Sequence, residues 1–433
     1  MSPPGRPKGE YRSAQHAGAP VNPPGRPKGE CRSAQHAGAP VNPPDRSKGA
    51  VALLLVLGVA AALLLTWAVA AQVLWQELKT SGQRTRAAQA AEAAESGLAW
   101  GLSMLNEGSP IDDDCQPADE GLAFRDRYLP AAAGTPSPSC RLADGVWSCR
   151  CPLPGAASPA TGDGSQAFVL SLEGTDAAAA TLQAIGCSTA SSCRPPFAGT
   201  VSRIWTEVER LPALDTLPVA AITARGALTL DGTPTVLHQG IASGAIALHA
   251  GGVVNIGVAD VAGPPGAPVA SIVVAGDPVL ASLNAAQFFA SSFRMDAAAW
   301  KAQPAARVLN CAQPCDDALL QRVGKHGAHP LVWLEGGLAL ASATELGSPQ
   351  HPVLLVVDGP VRLRTPVQVH GLLYLRSPAW DDDAGASVHG ALLAEHELRL
   401  AGATRVEHDA EVLQRLQGCC GSFARRPGSW RDF

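Results

Sequence analysis

The feature that most constrains this chain is the run from Ala50 to Ala71, 22 residues without a charge. At about 1.5 Å of rise per helical residue it can cross a bilayer core of roughly 30 Å. Trp67 and Trp75 stand near its far end, where interfacial aromatics anchor a span. Nothing stops a helix there. The sequence continues as QVLWQELKTSGQRTRAAQAAEAAESGLAWGLSMLN, and the first break is Gly108-Ser109-Pro110. Ala87, Ala91, Ala94, Leu98, Leu102 and Leu105 recur at three- and four-residue spacing, which predicts one apolar stripe. A single helix over 50–106 would be on the order of 85 Å long. Its first half would live in lipid or in a fibre core, and its second half would pack on a globular head.

Charge gives the direction of insertion. Residues 1–49 hold eight Lys/Arg against three Asp/Glu, so the leader is basic and the remainder acidic. A basic flank before a span stays in the cytoplasm, which places the bulk of the chain outside it, in the periplasm. The leader consists of PPGRPKGEYRSAQHAGAPVN followed by the same twenty residues with Tyr11 replaced by Cys31, then a truncated third copy. Two polar, Pro/Gly-rich units cannot bury a core, so residues 1–49 are expected to be disordered, and removed or idle. The chain contains six lysines and three tyrosines, which argues against a nucleic-acid partner.

Ten cysteines follow the apolar run: Cys115, Cys140, Cys149, Cys151, Cys187, Cys193, Cys311, Cys315, Cys419 and Cys420. An even number in an exported region predicts disulfides. Cys187 and Cys193 flank a short Ser-rich loop suited to one; Cys140 could join Cys149 or Cys151, and Cys311 with Cys315 could staple a corner. The vicinal pair Cys419-Cys420 could close on itself or pair with distant cysteines. A zinc site through Cys149/Cys151 or Cys311/Cys315 is disfavoured, because neither pair has a convincing second half.

The junction RSKGAVALLLVLGVAAALLL followed by QAAEAAESGLAWGLSMLN resembles the N-terminus of PilX-type minor pilins of type IV pili. The match covers about 60 residues, and the ending RPGSWRDF extends the likeness to the C-terminus. The resemblance implies cleavage by a prepilin peptidase between Gly49 and Ala50, and an assembly helix carrying Leu54, Glu92 and Glu95. It also implies partnership with other pilins and inner-membrane pilus assembly proteins. Leu54 departs from major pilins, which place a glutamate at the fifth mature position. The departure favours a rare subunit, at the pilus tip or in the priming complex, over a shaft subunit. Two plainer readings stand beside this one. The run could be a simple single-pass anchor, or a secretory signal cut after Ala68-Val69-Ala70, although its apolar stretch exceeds the usual h-region.

The expected fold is α+β, mainly β. Residues 107–215 should form a disulfide-braced, pilin-like head with three strands, in QAFVLSLEG, ATLQAIGCST and GTVSRIWTEVERL, laid across the helix. Residues 216–433 alternate short apolar runs with Gly and Asp-Gly turns, a texture that fits a sandwich or, better, a β-helix. Phe288, Phe289, Phe293 and Trp300 mark a helical insertion over about 281–323.

No nucleophile elbow, phosphate loop, HExxH or dinucleotide fingerprint is present, so neither an enzyme nor a cofactor is expected. His326 and His329 read as loop residues. The acidic triplets Asp112–Asp114 and Asp381–Asp383 lack the spaced ligands of a calcium loop and read as turns. The rival from another class is an anchored or secreted β-helix protein that binds or cleaves surface polysaccharide. That rival needs acids and bases converging on one face.

Overall fold

The computed structural model describes residues 46–130, 136–153, 165–174, 178–193, 197, 199–238, 240, 244–317 and 330–432. The leader repeat, Cys31, His326 and His329 lie outside them. The chain divides into two units, Met1–Leu74 and Trp75–Phe433.

The described part of the first unit belongs to α1 (Arg46–Asn106), a helix without interruption as the sequence predicts. From Leu53 to Leu74 its side chains are exposed, Ala71 being half-buried. Leu53–Asn106 is the one segment among the described residues long and apolar enough to cross a membrane, judged by length and composition.

In the second unit, the end of α1 packs on an antiparallel sheet. The strands are β1 (Ser139–Ala143), β2 (Val146–Arg150), β3 (Ala167–Gly174), β4 (Ala179–Cys187) and β5 (Val201–Pro212), with a short helix α2 (Phe124–Tyr128) before them. The last three coincide with the expected runs. In β4 the residues Ala180, Leu182, Ala184 and Gly186 alternate inward, the period-two pattern of a sheet with one buried face. The buried helix face is Ala90, Ala93, Ala94, Leu98 and Leu105, so the expected stripe is rotated: Ala87 is exposed, and Ala91 and Leu102 are half-buried. Small residues set that rotation. A Cβ on Gly186 would stand 2.1 Å from the Ala90 carbonyl oxygen and 2.3 Å from the Ala94 nitrogen. On the helix side, Gly97 makes room for the Phe168 ring and Gly101 for the Leu170 methyl groups. Helix and strand backbones thus touch where only Gly and Ala fit.

From Ala220 the pairing changes character. β6 (Ala220–Ala224), β7 (Leu228–Leu230) and β8 (Thr235–His238) form a first triplet. On them stack β9 (Ile246–Ala250), β10 (Val254–Asn255) and β11 (Asp260–Ala262), with β12 (Val273–Val274) beyond β9. The chain then crosses through α3 (Pro278–Ser282), α4 (Ala285–Phe293) and α5 (Ala297–Lys301) to β13 (Ala306–Asn310). It winds back through β14 (Leu331–Glu335), β15 (Leu338–Leu340), β16 (Thr344–Leu346), β17 (Val353–Asp358), β18 (Val361–Leu363) and β19 (Val367–Leu375). Finally come β20 (Trp380–Asp382), β21 (Ser387–Ala394), β22 (Leu398–Leu400) and β23 (Arg405–His408). Every pairing given for β6–β23 is parallel.

The last triplet closes on the first. β21 pairs with β6, β22 with β7 and β23 with β8. Two windings therefore meet at one seam, with like residues aligned across it: Leu228 opposite Leu398, Leu230 opposite Leu400, Val236 opposite Val406. These side chains are buried in one continuous aliphatic core. Each contributes roughly 1.5–3 kcal/mol relative to exposure.

Two glycines shape the long strands. β19 pairs with β16 up to Val369 and with β17 from Gly371 onward. Gly371 has φ 141°, its partner Gly390 in β21 has φ 140°, and a Cβ on either would lie 1.9 Å from a backbone oxygen. Only glycine lets the strand pass from one neighbour to the next there.

Two expectations are corrected. Residues 281–323 are not wholly helical: α5 ends at Lys301, and residues 306–310 form β13. The boundary at 216 does not separate two segments cleanly, because α6 (Ala410–Cys419) leads into β24 (Gly421–Arg425), which pairs with β5 in the head sheet. β25 (Arg431–Asp432) pairs with β5 as well. The sheet order is therefore β2-β1-β3-β4-β5-β24, and the parallel region is inserted between its last two strands. These strands are too short to be read as sheet members without their distant partner.

Candidate functional site

The residues singled out for function lie on α1. Gly49 and Ala50 fall within the helical backbone, so the expected processing junction is not at a turn. Leu54 is 70% exposed, in a row of bare Leu, Val and Trp side chains that includes Trp67 and Trp75 at 76%. Glu92 and Glu95 are exposed on the helix, opposite the face that carries Ala93, Ala94 and Leu98. They do not converge with any other candidate residue.

The helix end is held from the far terminus. Asn106 is buried; its amide donates to the Phe423 carbonyl at 3.0 Å, and its side-chain oxygen accepts from the Phe423 N–H at 2.8 Å. One side chain thus supplies the paired bonds a neighbouring strand would make, tying α1 to β24.

The ten cysteines after the apolar run are all in disulfides: Cys115–Cys151, Cys140–Cys149, Cys187–Cys193, Cys311–Cys315 and Cys419–Cys420. The alternative left open for Cys140 is settled by register, since Cys140 stands opposite Cys149 on the β1–β2 hairpin. Cys151 instead reaches back to the loop after α1. No thiolate remains at these pairs for zinc.

The acidic triplets are internally engaged. Asp112 accepts from the N–H groups of Asp114 and Gln116, and Arg150 pairs with Asp114 at 2.6 Å. Arg364 bridges Asp381 and Asp383, while buried Asp382 accepts from the N–H groups of Ala384, Gly385 and Ala386 and from the Thr404 hydroxyl. Among the described residues, no group of three or more His, Cys, Asp or Glu could hold a metal ion.

Two constellations escaped the sequence reading. Buried Glu395 accepts from the Tyr374 hydroxyl at 3.1 Å and from Arg376 Nε at 2.9 Å, and Arg376 also pairs with Asp358 at 2.6 Å. Burial, reinforced by Glu395, pushes the Tyr374 hydroxyl pKa far up, so the phenol stays protonated and donates. The cluster borders the aromatic layer of Phe288, Phe289, Phe293, Trp300 and Trp333 that lies between the helices and the long sheet. It satisfies buried charge and offers no open face for chemistry.

The second constellation is a run of histidines. His370 and His389 stack with ring centroids 4.9 Å apart, and His238 and His408 at 4.1 Å. The repeated Val-His-Gly at 369–371 and 388–390 is the signal that could have exposed this stacking. Burial and the neighbouring His389 hold the His370 pKa below the usual imidazole value. Its Nδ1 is buried without a partner.

A cleft of about 740 Å³ lies between the head sheet and the parallel region, lined by Leu129, Pro130, Arg210, Pro330, His351 and the Cys419–Cys420 pair, among others. Arg210 points its guanidinium at the carbonyls of Gly418 and Cys419.

No family model matches the chain, and no curated protein matches it. Among solved structures, the competence-associated pilin ComZ from Thermus thermophilus aligns with 80% of this chain and 98% of its own. The identity is 12% and the TM-score 0.22, and a score that low carries no argument about fold or function.

Proposed function

We propose that this chain is a non-catalytic, PilX-type minor pilin-like subunit of a type IV pilus, acting in assembly and priming or in adhesion at the tip. The observation that carries the reading is α1. Its side chains from Leu53 through Leu74 are apolar but for Thr66 and Gln72 and bare but for half-buried Ala71, and only from Ala90 onward does the helix bury a small-residue face on a sheet. An apolar helix surface of that extent requires lipid or other helices around it. Leu54 in place of a carboxylate suits a rare subunit, because an unpaired charge at that depth is costly and here there is none to satisfy. The parallel region is read as a β-solenoid inserted into the pilin-like head, displayed outside the cytoplasm.

The non-catalytic reading is supported by the placement of acids. Glu395, Asp358, Asp381, Asp382 and Asp383 are each bound to Arg, Tyr or backbone partners.

The test is the N-terminal residue of the mature protein. A chain starting at Ala50 supports prepilin processing. A start at Ala71 or Gln72 means a secreted protein, and an intact leader means a plain anchor. Normal piliation, twitching and adhesion after deletion of the gene would also sink the proposal, and cleavage of surface glycans by the purified head would revive the enzyme.

A further inference from the structure

The seam between the two windings is closed at one edge by an aromatic pair. His238 at the end of β8 and His408 at the end of β23 are register partners, and their rings stack at 4.1 Å with planes 10° apart. His408 Nε2 donates to the Pro218 carbonyl at 2.9 Å, and the His238 ring is bonded by the backbone of Val219. The pair therefore fixes both sides of the seam and the stretch that leads into β6. His238 Nδ1 accepts a hydrogen bond from the Gly240 N–H at 3.2 Å. An imidazolium has no lone pair on either ring nitrogen, so protonation of His238 deletes that bond and lays a cation against the His408 ring.

Only the backbone of His238 and Val219 favours the charged ring, and burial outweighs it. The other charged and titratable residues on β8, β23, the neighbouring strands and the start of α6 are Arg405 and Glu407 on β23, His389 on β21, Asp260 on β11, His249 on β9, and Asp409 and Glu411 at the start of α6. β6 and the Pro218–Val219 stretch carry none. Glu407 is engaged by His389 and Arg405, His249 by Asp277, and Glu411 by Arg415, while Asp409 caps α6 through the Val412 N–H. Among the described residues, neither His238 nor His408 has a carboxylate partner.

We propose that the His238–His408 stack is an acid-sensitive latch: uncharged, it holds the last triplet on the first, and its protonation in acid loosens the seam. Because β23 runs straight into α6 and β24, loosening there slackens the strand that returns to the head sheet. Burial, followed by the His408 ring, depresses the His238 pKa, in agreement with this geometry. A lowered imidazole pKa contributes stability that is present above the unfolded value of about 6.5 and lost as the pH falls below it.

The experiment is hydrogen–deuterium exchange on the full chain in detergent at pH 7.5 and pH 5.0, corrected for intrinsic rate. Protection of β8 and β23 should be lost progressively on acidification, because the unfolded seam binds the proton that the folded one opposes. Protection of β14 and β17 should hold. His238→Phe with His408→Phe keeps a stacked pair but no proton site, and should show equal seam protection at both pH values. His370→Phe with His389→Phe should lose seam protection on acidification as the wild type does. Unchanged wild-type protection, or an unaltered acid loss in the His238/His408 variant, overturns the latch. An NMR titration of the wild-type rings needs no variant: His238 titrating as a free imidazole also overturns it.

Discussion

The head sheet and the parallel region solve the same problem, burial of short strands, by opposite means. In the head, most strand partners are near in sequence: Cys140 faces Cys149 and Ala167 faces Cys187 across tight connections. Two of those strands are crosslinked, and the sheet leans on a helix through Gly186. In the parallel region, β8 and β23 pair across a sequence gap wider than the whole head sheet from β1 to β5. No disulfide spans that seam, and its strength is like-on-like stacking of Leu, Val and His. Local pairing can be braced covalently, whereas long-range pairing rests on register and on side chains that match across it.

The comparison can be broken at several points. The largest effect is expected at Trp333, fully buried between the helical cap and the long sheet: Trp333→Ala should lower unfolding free energy by about 3–5 kcal/mol in a denaturant titration. In the head, removing Cys115–Cys151 as the double Ser variant should cost about 3–4 kcal/mol by loop-closure entropy, read as a lower melting temperature under oxidising conditions. The same change at Cys311–Cys315, which closes a much shorter loop, should cost less. Gly186→Val forces a side chain into the α1 backbone and should cost about 1–3 kcal/mol, with loss of exchange protection along Ala90–Leu98. Asn106→Ala orphans the Phe423 N–H and C=O and should cost about 1–3 kcal/mol, with β24 becoming protease-sensitive before β14 does. The smallest effect is at His370, whose pKa is lowered by burial and by His389. Its stabilisation is complete above about pH 6.5 and fades below it, so His370→Phe should flatten part of the acid limb of a stability–pH curve.

Much of the candidate site was legible. The chargeless run, the absence of a helix stop before Gly108 and the three head strands all follow from residue type and spacing. The stripe on α1 was read one step out of phase because sequence periodicity cannot weigh Gly and Ala contacts, and the close approach of Gly186 decides which face turns inward. The helical insertion is legible in its aromatics, but the strand β13 inside it is not, since the Arg307–Asn310 stretch has no pattern that excludes a helix. The histidine stacks were missed because pairing register, not residue spacing along the chain, brings His238 to His408.

Residue type and spacing alone set a long apolar helix ahead of a disulfide-bonded, mainly β chain, because length, hydropathy and cysteine count act through local and compositional physics. Only the tertiary structure decided where the chain closes. That the last triplet docks on the first, that β24 returns to β5, and that Cys140 takes Cys149 while Cys151 takes Cys115 all depend on contacts between distant residues. Their free energy exists only once both partners are already in place, so no local pattern encodes it.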